Sequence, residues 1–213
     1  MGKISQGVLG GFSGKVGNIV GGTWKGIDYM RIKPSNVSNP RTQGQVDQRT
    51  KFSKVLNFLQ PMTEFLRVGY KLYANKMTQF NSAMSYQLQN TITGAYPDFS
   101  IDYTKVLVSK GALLRAEGGV GVSTEAGVVQ LSWTDNSASG GAKATDKALI
   151  MLYNADKKVA VYDTAGAVRT AGTQSLSVPV DFSGDEIQAY LGFISEDGTE
   201  VANSVYVGAI TVA

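Results

Sequence analysis

The sequence predicts an α+β protein in three parts. These are a glycine-rich N-terminal β-hairpin or arm over residues 1–34, a short helical region over 35–96 and a C-terminal β-sandwich over 97–213. Three observations carry this. Glycine punctuates "GGFSGKVGNIVGGTWKGIDYMR", residues 10–31, at Gly10, Gly11, Gly14, Gly17, Gly21, Gly22 and Gly26. Apolar residues then recur at helical spacing between residues 41 and 91. From Ser100 onward the apolar period falls to two.

In the arm, Gly21-Gly22 stands between two strand-compatible runs, Lys15 to Val20 and Thr23 to Ile32. A glycine pair in that setting predicts a two-residue hairpin turn. Ile27, Tyr29 and Arg31 then share one face, and Asp28, Met30 and Ile32 the other. Neither face is clearly apolar, and an isolated hairpin is marginal in water. The segment is nevertheless too apolar for a solvated leader, since Val16, Ile19, Val20, Trp24, Ile27 and Tyr29 all need cover. "PSNVSNPRTQ", residues 34–43, with two prolines, two serines and two asparagines, marks a turn or linker.

Three helices are expected next. In "RTQGQVDQRTKFSKVLNFL" the apolar stripe runs through Val46, Thr50, Ser53, Leu56 and Phe58-Leu59, joined by Phe52 and Val55. Gln45, Gln48, Arg49 and Lys51 form a polar, basic outer face. Pro61 falls at a helix start, where its missing N–H costs nothing. The second stripe is Met62, Phe65, Leu66, Tyr70 and Tyr73. The third helix spans about Thr78 to Thr91, with Phe80, Ala83-Met84 and Gln87-Leu88 on one face and Gly94 as its stop.

Strand candidates follow in "IDYTKVLVS" and in "GVVQLSWTD", with Val129, Leu131 and Trp133 on one face. "KALIMLYNADKKVAVYD" predicts two strands around a turn at Asn154–Lys157. "QSLSVPVDF" comes next, and then a hairpin with Asp197-Gly198 at its turn. About seven short strands at this spacing resemble an immunoglobulin/fibronectin-III-like sandwich with Trp133 in the core. "SASGGAKATD", residues 137–146, is a loop between strands.

Composition narrows the chemistry. The 213 residues include no cysteine and no histidine. That removes disulfides, thiolate chemistry, the commonest general base and the commonest metal ligand. Neither a catalytic centre nor a metal or cofactor site is expected, so the chain is not expected to be an enzyme. A phosphate-binding loop requires G-x-x-x-x-G-K-[ST]. Gly14-Lys15 supplies the G-K, but Leu9 and Val16 occupy the other defining positions. No G-x-G stands at a strand-to-helix junction, so the dinucleotide fingerprint is absent too. The acidic pairs Asp185-Glu186 and Glu196-Asp197 fall at predicted turns, where carboxylates are ordinarily solvated. No run is long and apolar enough to span a membrane, and the N-terminus has no secretory apolar core.

Charge is divided along the chain. Through Tyr96 there are 12 Lys and Arg against 3 Asp and Glu; from Pro97 on there are 8 against 14. A basic half suggests nucleic acid or an acidic partner, and opposite halves also suit head-to-tail self-association.

The blocks "FSGKVGNIVGGTWKGIDYMR", "NPRTQGQVDQRTKF" and "FNSAMSYQLQNTITGAYPDFSIDYTKVLVSKG" resemble an uncharacterised family of Bacteroidota proteins of about this length, a domain of unknown function. The resemblance is strong over the N-terminal half and loose over the sandwich. It implies no activity, cofactor or site residue.

The functional expectation is a structural or assembly protein that forms homo-oligomers, a filament or part of a phage virion. Its partners would be itself or other proteins of the same assembly, in a virion or at a cell-surface or extracellular assembly. Gly14, Gly17, Gly21 and Gly22 would permit close backbone approach, with Ile19, Trp24, Ile27 and Tyr29 as anchors. One alternative is nucleic-acid binding through Lys15, Lys25, Arg31, Lys33, Arg41 and Arg49, with Trp24 and Tyr29 interleaved for stacking. Another is a sandwich whose loops bind glycan or protein.

Overall fold

The computed structural model describes residues 2–4, 10–24, 26–36 and 41–213. It falls into two compact units, Met1–Thr42 and Gln43–Ala213.

The first unit is an antiparallel sheet of β1 (Lys3–Ile4), β2 (Phe12–Val16), β3 (Ile19–Trp24) and β4 (Ile27–Ile32), in that order. The hairpin turn expected at Gly21-Gly22 is not there. Both glycines lie inside β3, paired with Met30 and Tyr29. The chain reverses earlier, at Gly17-Asn18, where Gly17 takes a left-handed φ of +58°. Asn18 accepts the Lys33 N–H at 2.7 Å and closes the sheet behind β4. A glycine pair within a strand loses side-chain packing, and here neighbouring rings supply it, as described below.

The second unit begins with α1 (Gln43–Leu59), a single 3₁₀ turn over Gln60–Met62 and α2 (Thr63–Gly69). Pro61 enters at the first residues of the turn, where no helical N–H is missed. The buried face of α1 is Val55, Phe58 and Leu59, whereas Phe52 is 50% exposed and Ser53 is also outside. The rest of the stripe expected from sequence is buried or half-buried; Phe52 and Ser53 are the members that fall outside it. α2 is shorter than its stripe predicts. The chain leaves the helix at Tyr70, which is buried, passes a 3₁₀ turn at Lys71–Tyr73 and leaves Tyr73 exposed. Tyr70 ends the helix productively, as its hydroxyl donates to the Leu107 carbonyl at 2.9 Å. α3 (Gln79–Asn90) is capped by Thr78, which accepts from Asn81 N. It ends at Asn90, about where the sequence predicts, with Thr91 as its cap: the Thr91 N–H and hydroxyl both donate to the Gln87 carbonyl. Gly94, with φ of +85°, instead turns the chain between β5 (Ile92–Thr93) and β6 (Ser100–Ile101).

"IDYTKVLVS" is not a strand beyond Ile101. Asp102 accepts from Thr104 N and starts a 3₁₀ turn at Tyr103–Lys105. The alternating Val106 and Val108 are buried without a ladder partner; Ser204 Oγ accepts from Val108 N instead. Period two here reports an extended loop pressed on a core. The first sandwich strand is β7 (Glu117–Glu125), whose glycines hid it from the pattern.

β7, β8 (Val128–Thr134) and β11 (Thr173–Ser177) form one sheet, in the order β11-β8-β7. β9 (Lys147–Asn154), β10 (Val159–Asp163), β12 (Glu186–Ile194) and β13 (Val205–Thr211) form the other, in the order β10-β9-β12-β13. This is the immunoglobulin/fibronectin-III-like β-sandwich expected from the sequence, with all seven strands antiparallel to their neighbours. Val129, Leu131 and Trp133 meet Ile150, Leu152, Leu191 and Phe193 in its core.

The helices cover the other face of the four-stranded sheet. Leu149, Met151, Tyr153 and Tyr190 pack there against Phe58, Leu59, Met62, Phe65 and Leu66. Both faces of β9 and β12 are therefore buried, so "KALIMLYN" and "EIQAYLGFI" are apolar almost throughout rather than alternating. The helical region and the sandwich share this core within one unit.

Candidate assembly surface

Cross-strand register divides the N-terminal sheet into two faces of different chemistry. Residues paired across antiparallel strands lie on the same face. Val16 pairs with Ile19, and Ile19 with Ile32, so three aliphatic side chains form a row across β2, β3 and β4. They are 56%, 44% and 77% exposed. Met30 and Gly21 pair beside the row, followed by Thr23 and Asp28, whose side chains are hydrogen-bonded to each other. Asp28 is the only charged residue in strand register on this face among the described residues.

The opposite face carries the cations. Lys15 pairs with Val20 and Val20 with Arg31, while Lys3 pairs with Ser13. Tyr29 beside Gly22, and Trp24 beside Ile27, complete it; Trp24, Ile27 and Tyr29 are exposed.

The paired glycines act through the rings next to them. A Cβ on Gly21 would collide with the Phe12 carbonyl and stand 2.7 Å from the Phe12 ring. A Cβ on Gly22 would meet the Tyr29 hydroxyl at 3.2 Å. Two adjacent glycines thus seat one aromatic ring on each side of the strand. Gly14 lies directly across from Gly21, with φ of +105°. These glycines bring backbone and rings of the same sheet together. Gly17 is different: nothing lies within 4 Å of its would-be Cβ.

Of the expected anchors, Trp24, Ile27 and Tyr29 share the cationic face and Ile19 lies on the aliphatic one. Val16, Met30 and Ile32 belong with Ile19, and sequence reasoning missed them as anchors. The signal was present as strict alternation along β4, but the misplaced turn concealed which residues of β2 and β3 stand opposite. Of the proposed cationic set, Lys15 and Arg31 share a face. Lys33 follows β4, and Arg41, with φ of +46°, stands before α1. Arg49 belongs to α1 in the second unit, and Lys25 lies outside the described residues.

Among the described residues no three Asp, Glu, His or Cys side chains gather as metal ligands, and no helix is long and apolar enough to cross a membrane. The aspartates of the two acidic pairs are engaged locally. Asp185 receives Lys157 at 2.7 Å and Asn154, and its pKa is lowered by those hydrogen bonds. Asp197 accepts from Ser195 Oγ and from the N–H and hydroxyl of Thr199, which hold its pKa down at about 2.

Comparison with known proteins gives a family and a distant fold neighbour. The solution structure of the fn3 domain of human collagen alpha-1(XX) chain is 9% identical, with a TM-score of 0.36, over 49% of this chain and 90% of that one. No curated protein matches the chain. The model of the family of unknown function DUF6266 matches residues 11–208, taking in most of the N-terminal sheet, the helices and nearly all of the sandwich. The chain belongs to that family.

Proposed function

We propose that the protein is a non-enzymatic structural component that assembles with further copies of itself, as an oligomer, a filament or part of a virion, through its N-terminal sheet. The observation that carries this reading is the exposed row Val16–Ile19–Ile32. A continuous aliphatic row on a four-stranded sheet is an unfavourable surface to leave in water, and sheets of this kind are ordinarily covered on one face. Segregation of Lys3, Lys15 and Arg31 to the other face leaves the row free of cation repulsion. Among the described residues β4 also has one unpaired edge, a place where a strand can be added.

Nucleic-acid binding is supported by a separate observation: Lys15 and Arg31 flank Val20 on the face that also presents Tyr29 and Trp24.

Light scattering after size exclusion, on the full chain and on a chain lacking residues 1–34, tests the first reading. The full chain should exceed monomer mass and the shortened one should not; two monomers overturn it. A mobility-shift series with nonspecific DNA tests the second, which requires affinity to fall as salt rises.

A further inference from the structure

The second unit holds a cleft of about 190 Å³ between α1 and the β9–β10 turn, walled by Lys54, Asn57, Phe58, Tyr103, Tyr153 and Lys158. Tyr153 sets its chemistry. This residue is 4% exposed, yet its hydroxyl has no hydrogen-bond partner among the described residues. A buried tyrosine usually finds one. The other two do: Tyr70 donates to Leu107 and Tyr190 to the Tyr103 carbonyl, each at 2.9 Å. Nor is the Tyr153 oxygen sealed in the core; among the described residues the sealed, unpartnered side-chain atoms are Gln87 Oε1 and Asp146 Oδ1. It opens into the cleft, as a donor or acceptor aimed at whatever enters.

The surroundings select what that is. The Tyr103 hydroxyl is likewise unpartnered, and the Asn57 side-chain amide stands on the rim. Burial, then the neighbouring Tyr103, pushes Tyr153 up to about 12, so the phenol keeps its proton at neutral pH. Lys54 and Lys158 bring two ammonium groups, without an ion pair of their own among the described residues. Asp156, close enough to raise Tyr103, is the nearby acid. Lys158 is held at φ of +57°, a left-handed conformation that costs least for glycine or asparagine, yet lysine stands there.

Two open depressions continue the cleft along α1. One, of about 370 Å³, runs past Arg49, Ser53 and Lys54; the other, of about 430 Å³, runs past Gln60, Pro61 and Lys158. Asn57 borders all three. The site is thus a short groove with one deep position, suited to a chain molecule whose central unit drops in. Base stacking is not what it offers. The Phe58 and Tyr153 rings meet edge to face at 4.9 Å and are both buried, so neither offers an open face to a base.

The geometry points to a binding site for an acidic saccharide chain, with one carboxylate-bearing sugar in the cleft and its neighbours lying along α1. The Tyr153 and Tyr103 hydroxyls and the Asn57 amide meet sugar hydroxyls. Lys54 and Lys158 meet the carboxylate. The site is independent of the N-terminal sheet, so its failure leaves the assembly reading untouched.

The test is a chemical-shift titration of the full chain with a galacturonic acid tetramer, with a neutral glucose tetramer and a DNA oligonucleotide alongside. The acidic tetramer should bind saturably and the neutral one at least about tenfold more weakly, the difference expected for charge-assisted contacts. Tyr153→Phe, which keeps the ring, should weaken binding by about five- to tenfold. Lys158→Gly, whose backbone suits glycine, should do the same and serves should the first variant disturb the core. Absence of saturable shifts, equal affinity for the neutral tetramer, tighter binding of the oligonucleotide, or unchanged affinity in a folded variant overturns the proposal.

Discussion

The Tyr29 hydroxyl stands 3.2 Å from where a Cβ on Gly22 would be built, across the β3–β4 pair. The ring lies on the strand because that residue has no side chain. Phe12 does the same over Gly21 on the other face.

The two glycines should differ in their tolerance of alanine. At Gly22 the methyl group meets the end of a tyrosine that can tilt away. At Gly21 it meets the backbone carbonyl of Phe12, and β2 must move. Gly21→Ala should destabilise the N-terminal sheet by about 1–3 kcal/mol and Gly22→Ala by less than half of that. Rates of tryptic cleavage at Lys15 and Arg31 read the difference; equal rates in the two variants would contradict it.

Assembly should depend on the aliphatic face. Ile19→Lys or Ile32→Lys places a cation in the row and should return the full chain to monomer mass in light scattering. Lys15→Ala, on the opposite face, should leave the mass unchanged. The reverse pattern would assign self-contact to the cationic face.

The sandwich rests on a buried ion pair. Arg169 is fully buried, bonded through Nε to Asp146 at 3.2 Å and through Nη1 to Asn136 at 2.6 Å, with its guanidinium 3.8 Å from the centre of the Phe193 ring. Burial lowers the Arg169 pKa, and Asp146 opposes that. Arg169→Met leaves Asp146 as an uncompensated buried charge and should cost about 3–5 kcal/mol in urea unfolding. Adding Asp146→Leu should recover most of that loss; a double variant no more stable than the single one would show that the cost lies in the other Arg169 contacts.

Alkaline pH should unfold the second unit in step with its tyrosines. Burial raises the pKa of Tyr153 to about 12 and pushes Tyr70 and Tyr190 higher still. Folding therefore favours the protonated phenols. Their contribution is complete below the ordinary tyrosine value near 10 and is lost as pH rises through the folded values. Absorbance at ~295 nm, where phenolate absorbs, should show a late group of tyrosines ionising together with loss of structure.

Asp197 gives the opposite sign. Its pKa is lowered to about 2 by the Ser195 and Thr199 hydrogen bonds. Its contribution is present above the ordinary aspartate value and disappears as pH falls toward 2. Asp197→Ala should flatten that part of the acid stability profile, and an unchanged profile would show that the turn does not need the carboxylate.

The legible parts of this protein were those where local pattern and tertiary role coincide. Thr78 opens α3 because its hydroxyl caps the first turn, and no distant residue is needed. Trp133 is core because β8 alternates and one of its faces is wet. Where they diverge, the reading failed. Gly21-Gly22 has the composition of a turn, but Phe12 and Tyr29 convert it into strand interior. Alternation in "IDYTKVLVS" reports burial of an extended loop, because no neighbouring strand offers a ladder. The cleft at Tyr153 was invisible, since nothing local says that its hydroxyl alone among the buried tyrosines would be left without a protein partner.

By itself the sequence determined the α+β class, the start of the third helix near Thr78, most of the sandwich strands and the exclusion of histidine and cysteine chemistry. Periodicity, capping and composition act over a few residues. The tertiary structure decided which faces are covered. It laid the helices on the four-stranded sheet, set Val16, Ile19 and Ile32 in one row, and brought Lys54, Tyr103, Tyr153 and Lys158 around one cleft. Register and burial are relations between distant segments, fixed by which surfaces exclude water together.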